Sequence, residues 1–136
     1  MVSKEQVIPA MLNNFPEFEV TWTKHVEWWG EDEAGFYNDV GAFSRYVIDV
    51  ITNNKNDSQI PKIFSFAEYL MTEGEHEVQE AIATCFLENL INATSWNTIP
   101  ASSFVRFLGE ESKAYCKAWD EFTGVKTEGL WDDWQT

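Results

Sequence analysis

Apolar residues along this chain return every three to four positions, and no stretch alternates with period two or carries a hairpin turn signal, so the pattern predicts helices throughout. Ser3 followed by Gln6 reads as a capping box for a first helix that ends near Asn13-Asn14. Pro9 removes one hydrogen bond from it and kinks it or delays its start. In "FPEFEVTWTKHVEWWG", Pro16 stands in the first turn and Gly30 past the end, where each is tolerated. Phe18, Trp22, Val26 and Trp29 form the apolar stripe of this second helix, and Trp28 points elsewhere.

A third helix is expected from about Phe36 to Thr52, with Phe36, Val40, Phe43, Val47, Val50 and Ile51 on its inner face. The fourth starts after Asp57 or Ser58, carries Ile63, Phe64, Ala67, Leu70 and Met71, and closes at Gly74. The fifth, "EHEVQEAIATCFLENLIN", places Val78, Ile82, Cys85, Phe86, Asn89 and Leu90 together. Pro100 starts a short helix with Phe104, Val105 and Leu108, interrupted by Gly109, and a last helix carries Tyr115, Trp119 and Phe122 before Gly124. Six or seven helices joined by short loops make an all-α single domain, either a helical bundle or a short stack of antiparallel helix pairs. Its expected limits are 1–124, followed by an acidic, tryptophan-containing tail over 125–136.

Charge changes the picture more than composition does. Nine Lys and Arg against 23 Asp and Glu give a net charge of -14. Such a field repels nucleic acid and anionic membrane, and it speeds encounter with a basic partner. Solubility alone is the competing explanation. Cys85 and Cys116 lie in helical patterns with no CxxC or metal-type spacing, and read as free thiols of a reducing compartment. The N-terminal stretch has no apolar run of signal-peptide length and no segment approaches 18 apolar residues, so a cytoplasmic protein is expected.

Catalytic patterns are missing. His25 and His76 stand beside glutamates without convergent His or Cys partners. "EDEAGFYND" fails as a calcium loop, because counting from Glu31 the glycine comes fifth and Phe36 sixth. There is no nucleophile elbow and no phosphate-binding glycine loop. The expectation is a non-enzymatic protein with no cofactor and no metal.

What remains is acid interleaved with large aromatics. One cluster is Glu27, Trp28, Glu31, Asp32 and Glu33; another is Glu73, Glu75, Glu77 and Glu80; the tail adds Trp131, Asp132, Asp133 and Trp134. A further group, Glu110, Glu111, Asp120 and Glu121, lies on the last helix. Carboxylates in first helical turns are also explained by the helix dipole, and Trp22 and Trp29 by core packing. Trp28 and the tail tryptophans belong to no stripe, so for them an interface and docking onto the protein's own surface both stay open.

"FPEFEVTWTKHVEW", "NDVGAFSRYVID" and "EVQEAIATCFLENLIN" together resemble a family of small, acidic, helical bacterial proteins that look like the immunity proteins of contact-dependent and polymorphic toxin systems. Over about the first two thirds of the chain, this resemblance implies a partner: a cognate toxin domain, basic and nuclease-type, neutralised by occlusion and charge complementarity. It implies no catalytic residues. The tryptophan pair and the "WDDW" tail depart from the family pattern. Alternatives are a nucleic-acid mimic of the anti-restriction or anti-CRISPR type, and a small-ligand-binding or enzymatic helical protein using an aromatic pocket. The protein is expected to be a monomer or weak dimer.

Overall fold

The computed structural model describes residues 1–53 and 58–131. Helices α1 (Lys4–Asn14), α2 (Phe18–Trp29), α3 (Phe36–Thr52) and α4 (Gln59–Glu73) lead into α5 (His76–Ala81). A six-residue π-helical segment (Ile82–Leu87) joins α5 directly to α6 (Glu88–Ser95). Two 3₁₀ turns, Ala101–Ser103 and Val105–Phe107, precede α7 (Glu110–Thr123). The all-α expectation is met, with no strand among the described residues. Pro9 sits inside α1 without ending it, and Gln6 Oε1 accepts the Ser3 N–H at 2.9 Å at its start.

Phenylalanines form a spine through the core. Phe18 meets Phe43 edge-on at 5.1 Å, Phe43 meets Phe86 at 5.6 Å, Phe86 meets Phe64 at 5.7 Å, and Phe64 stacks on Phe104 at 5.3 Å. All five rings are buried, at separations where aromatic pairs attract beyond their area burial. The spine runs from α2 through α3 and the π segment to α4 and the 3₁₀ turns, so one core ties every layer together.

The π segment corrects the expected stripe of the fifth helix. Cys85 is half-buried and Asn89 exposed, while Leu87 and Ile91 are inside. Two contacts explain the slip: Tyr37 donates to Glu80, and Asn89 donates to Ser44 Oγ at 3.0 Å. Seven residues of α3 thus face nine of the fifth helix. At 3.6 residues per turn those nine would make about two and a half turns and face Asn89 away. The wider π turn absorbs the excess, and α3 runs parallel to α5–α6.

In α7 the innermost residues are Ser112, Cys116 and Asp120. Tyr115 and Trp119 flank them half-buried, whereas Phe122, expected on the inner stripe, is 81% exposed. Tyr115 donates to Glu88, and Trp119 Nε1 donates to Asn92 Oδ1 at 3.3 Å. Both contacts advance by four residues on each helix, so α6 and α7 also run parallel. Neither of these neighbouring helix pairs is antiparallel.

Asp120 is no surface acid. Its carboxylate accepts from Thr127 N–H (2.7 Å), Thr127 Oγ1 (2.8 Å) and Trp131 Nε1 (3.0 Å). With Leu130 fully buried, the segment after Gly124 is fastened onto the helical body as far as Trp131.

Candidate functional site

Helix α2 buries only Phe18 and His25 completely. Val26, expected on its inner stripe, is 47% exposed, and Trp28 is 84% exposed. The inner face runs Phe18, Trp22, His25, Trp29, at i, i+4, i+7 and i+11, so His25 takes the place assigned to Val26. Trp29 is half-buried rather than part of the core, and with His25 it forms a wall shared by two grooves.

The larger groove encloses about 900 Å³ between α1, α2 and the start of α3. Ile8, Leu12, Trp22, Val26, Trp29 and Phe36 supply its apolar walls, and Glu31, Asp32 and Glu33 stand on its rim. The loop carrying these acids has a defined path. Gly30 (φ 61°) and Gly35 (φ 91°) bracket it in left-handed conformations that would strain any side chain, although nothing crowds the space around either residue. Asp32 N–H donates to Trp29 O at 3.0 Å, and Asn38 Nδ2 holds Ala34 O at 2.8 Å. All three carboxylates, with Glu27, remain exposed.

The smaller groove, about 680 Å³, lies on the other side of the shared wall and is lined by Lys24, Trp28, Arg45, Ile48 and Asp49 among others. Beneath it His25 bridges two helices. Arg45 Nη2 donates to His25 Nδ1 at 3.0 Å, and His25 Nε2 pairs with Asp39 Oδ1 at 2.8 Å. A guanidinium has no acceptor, so Nδ1 carries the lone pair and Nε2–H is the donor to Asp39. Asp39, Arg45 and Lys24 were not singled out from sequence, and His25 was read there only as a histidine without convergent partners; its i+7 placement after Phe18 was the available signal.

The second acidic cluster adjoins the first. Glu73, Glu75, Glu77 and Glu80 are all exposed. Lys4, on the larger groove's rim, reaches Glu77 at 3.5 Å. Glu80 accepts from Tyr37, next to the groove residue Phe36, and approaches His76 at 3.7 Å. The Glu80 bond pushes the Tyr37 phenol up to about 12. Trp131, the described member of the tail cluster, is elsewhere. Trp131 is half-buried against α7 with Lys117 over its ring at 5.4 Å, and α7 packs on α4, the π segment and α6, none of which lines the grooves. Asp132, Asp133 and Trp134 lie outside the described residues.

Two further exposed aromatics, Trp96 (75%) and Phe122, lie at the C-terminal ends of α6 and α7, with Phe122 stacked on Trp119 at 5.5 Å. Cys116 is buried, and burial pushes its thiol up to about 12, helped by the nearby Asp120 and Glu88 carboxylates. That makes it an inert packing residue. Among the described residues no group of three or more His, Cys, Asp or Glu is placed to hold a metal ion, and no helix is long and apolar enough to cross a membrane.

Fold and site together define an all-α protein that presents an open, acid-rimmed aromatic groove. The chain belongs to the family described as "Domain of unknown function (DUF7674)", whose model matches residues 8–124. No curated protein and no solved structure matches it.

Proposed function

We propose that this protein is an immunity protein, which binds a cognate bacterial toxin domain of basic, nuclease type and blocks it sterically. One observation carries the reading: Trp28, 84% exposed, lines the smaller groove, across the shared His25–Trp29 wall from a larger groove with apolar walls and a rim of Glu31, Asp32 and Glu33. Exposed tryptophan is the residue type most enriched at interface hot spots. The surrounding carboxylates steer and pair with Lys and Arg, and the net charge of -14 extends that attraction beyond contact range. The resemblance of the "FPE" and "FLENL" helices to toxin-immunity families supports the same partner class. A nucleic-acid mimic is less well supported, because it needs acids spread at phosphate spacing along a strand, whereas these bunch in one loop around an apolar floor.

The test is co-expression with the product of the adjacent gene, followed by co-purification and growth rescue. Association rates should approach about 10⁸–10⁹ M⁻¹s⁻¹ at low salt and fall steeply as salt rises. The E31Q/D32N/E33Q variant should weaken the complex and lose part of that salt dependence. An on-rate indifferent to ionic strength, or a complex unaffected by these substitutions, would remove the groove from the mechanism. No complex and no rescue would remove the immunity reading itself.

A further inference from the structure

We infer that the smaller groove is a preorganised carboxylate receptor, in which Arg45 and Lys24 beside Trp28 take an acidic side chain carried by an otherwise basic partner. The inference rests on the acid-rimmed groove being the docking face and adds the chemistry of its second half.

The behaviour of Arg45 is the first reason. Asp49 lies one turn further along α3, the spacing at which Arg and Asp normally pair. Yet Arg45 has no carboxylate within 4 Å among the described residues. It reaches across to α2 instead and spends a donor on an imidazole nitrogen. Lys24 likewise has no carboxylate within 4 Å among the described residues, although the chain carries 23 acidic residues. Asp49 lines the groove too, but its carboxylate stays beyond 4 Å of the guanidinium.

The second reason is how Arg45 is held. The His25 side chain is 3% exposed, and its Nε2–H is fixed on Asp39. That bond leaves Nδ1 as an acceptor aimed at the guanidinium. Asp39 and His25 are thus positioning residues, and the exposed Arg45 is anchored by its bond to His25 before any partner arrives. One of its five N–H donors is engaged on His25, and the fork geometry of the others suits a carboxylate. Arginine and tryptophan lining one groove have the composition of a hot spot, and the bond to His25 lowers the cost of ordering the arginine.

A free anion would be repelled by the net charge of -14. The carboxylate must therefore arrive on a surface that is cationic overall, with its basic part against the acidic rim and its acid across the shared wall of His25 and Trp29. Two grooves of opposite character distinguish a partner with this pattern from one that is merely basic.

The test is selection of a displayed library of random peptides on the full-length protein. Binders should be enriched in Lys and Arg with one Glu or Asp at a constant offset. In a synthesised winner, replacing that acid by its amide should weaken binding to the wild type by about tenfold or more. With R45Q the replacement should have no effect, while the amide peptide still binds. H25F should release the Arg45 side chain, read as a loss of rigidity at its Nε by NMR relaxation, and abolish the preference for the acid in parallel. R45Q and H25F report separately, so a folding defect in H25F leaves the arginine test standing. Basic binders without an enriched acid, or a preference that survives R45Q, overturn this inference alone. Absence of basic enrichment overturns the acidic-groove reading and this inference with it.

Discussion

Glu68 Oε1, on α4, accepts both the backbone N–H (2.9 Å) and the hydroxyl (2.8 Å) of Ser112, while its other oxygen accepts the Glu111 N–H at 2.8 Å. A side chain distant in sequence therefore caps the N-terminus of α7, whose own N-cap residue, Gly109, has no side chain to offer. A Cβ on Gly109 would sit 2.4 Å from the Glu68 carboxyl carbon, so alanine there must expel the cap. E68A is expected to lose about 1–3 kcal/mol of stability, and G109A a comparable amount. Since both destroy the same bonds, the double variant should cost well below the sum. Denaturant unfolding of the three variants measures the coupling, and strict additivity would refute the shared cap.

The same logic governs the C-terminal segment. Asp120 is 1% exposed and satisfies three donors from Thr127 and Trp131. Replacing it by alanine leaves buried donors unpaired, a loss of about 1–3 kcal/mol each where no water enters. D120A should therefore expose residues 125–131 to proteases and collapse amide-exchange protection at Thr127, with the phenylalanine spine still folded. Unchanged protection at Thr127 would mean that Leu130 burial alone holds the segment.

The contrast between these two acids and the sequence pattern shows what was readable. Apolar periodicity located the helices, because burying a stripe is what makes them stable. It mis-phased the fifth helix, since period counting assumes 3.6 residues per turn and Ile82–Leu87 departs from it. It missed the inner face of α7, where Ser112, Cys116 and Asp120 are acceptable inside only because Glu68, Thr127 and Trp131 satisfy their polar members. In the candidate site, the Trp28 cluster was legible because a tryptophan off the stripe conflicts with its own helix. The Asp39–His25–Arg45 chain was not, because it joins residues from two helices whose mutual rotation no local pattern encodes.

Trp28 provides a separation of stability from binding. Its side chain contributes little to the fold at 84% exposure, so W28A should change unfolding free energy by less than about 0.5 kcal/mol. F43A removes a buried ring of the spine, between Phe18 and Phe86, and should cost about 3–5 kcal/mol. Binding should show the reverse sensitivity, with W28A weakening the partner complex by about 2 kcal/mol or more. A destabilised W28A would mean that the indole packs on the protein itself.

Alkaline pH tests the buried and bonded acids together. Desolvation raises the Cys116 thiol from 9.0 to about 12, and the Glu80 bond raises the Tyr37 phenol from 10.0 to about 12. Tyr46 and Tyr115 are also raised, chiefly by burial. A raised folded value means that the unfolded chain releases the proton first. Below the unfolded values both states hold their protons and stability is undiminished. As pH climbs from about 9 toward 12, only the folded state retains them, and stability falls. The denaturant midpoint should accordingly decline across this window. Removing titrating groups with Y37F and C116A should flatten the decline relative to each variant's own midpoint at neutral pH. A slope equal to that of the wild type would show that these groups ionise in the folded protein as readily as in the unfolded chain.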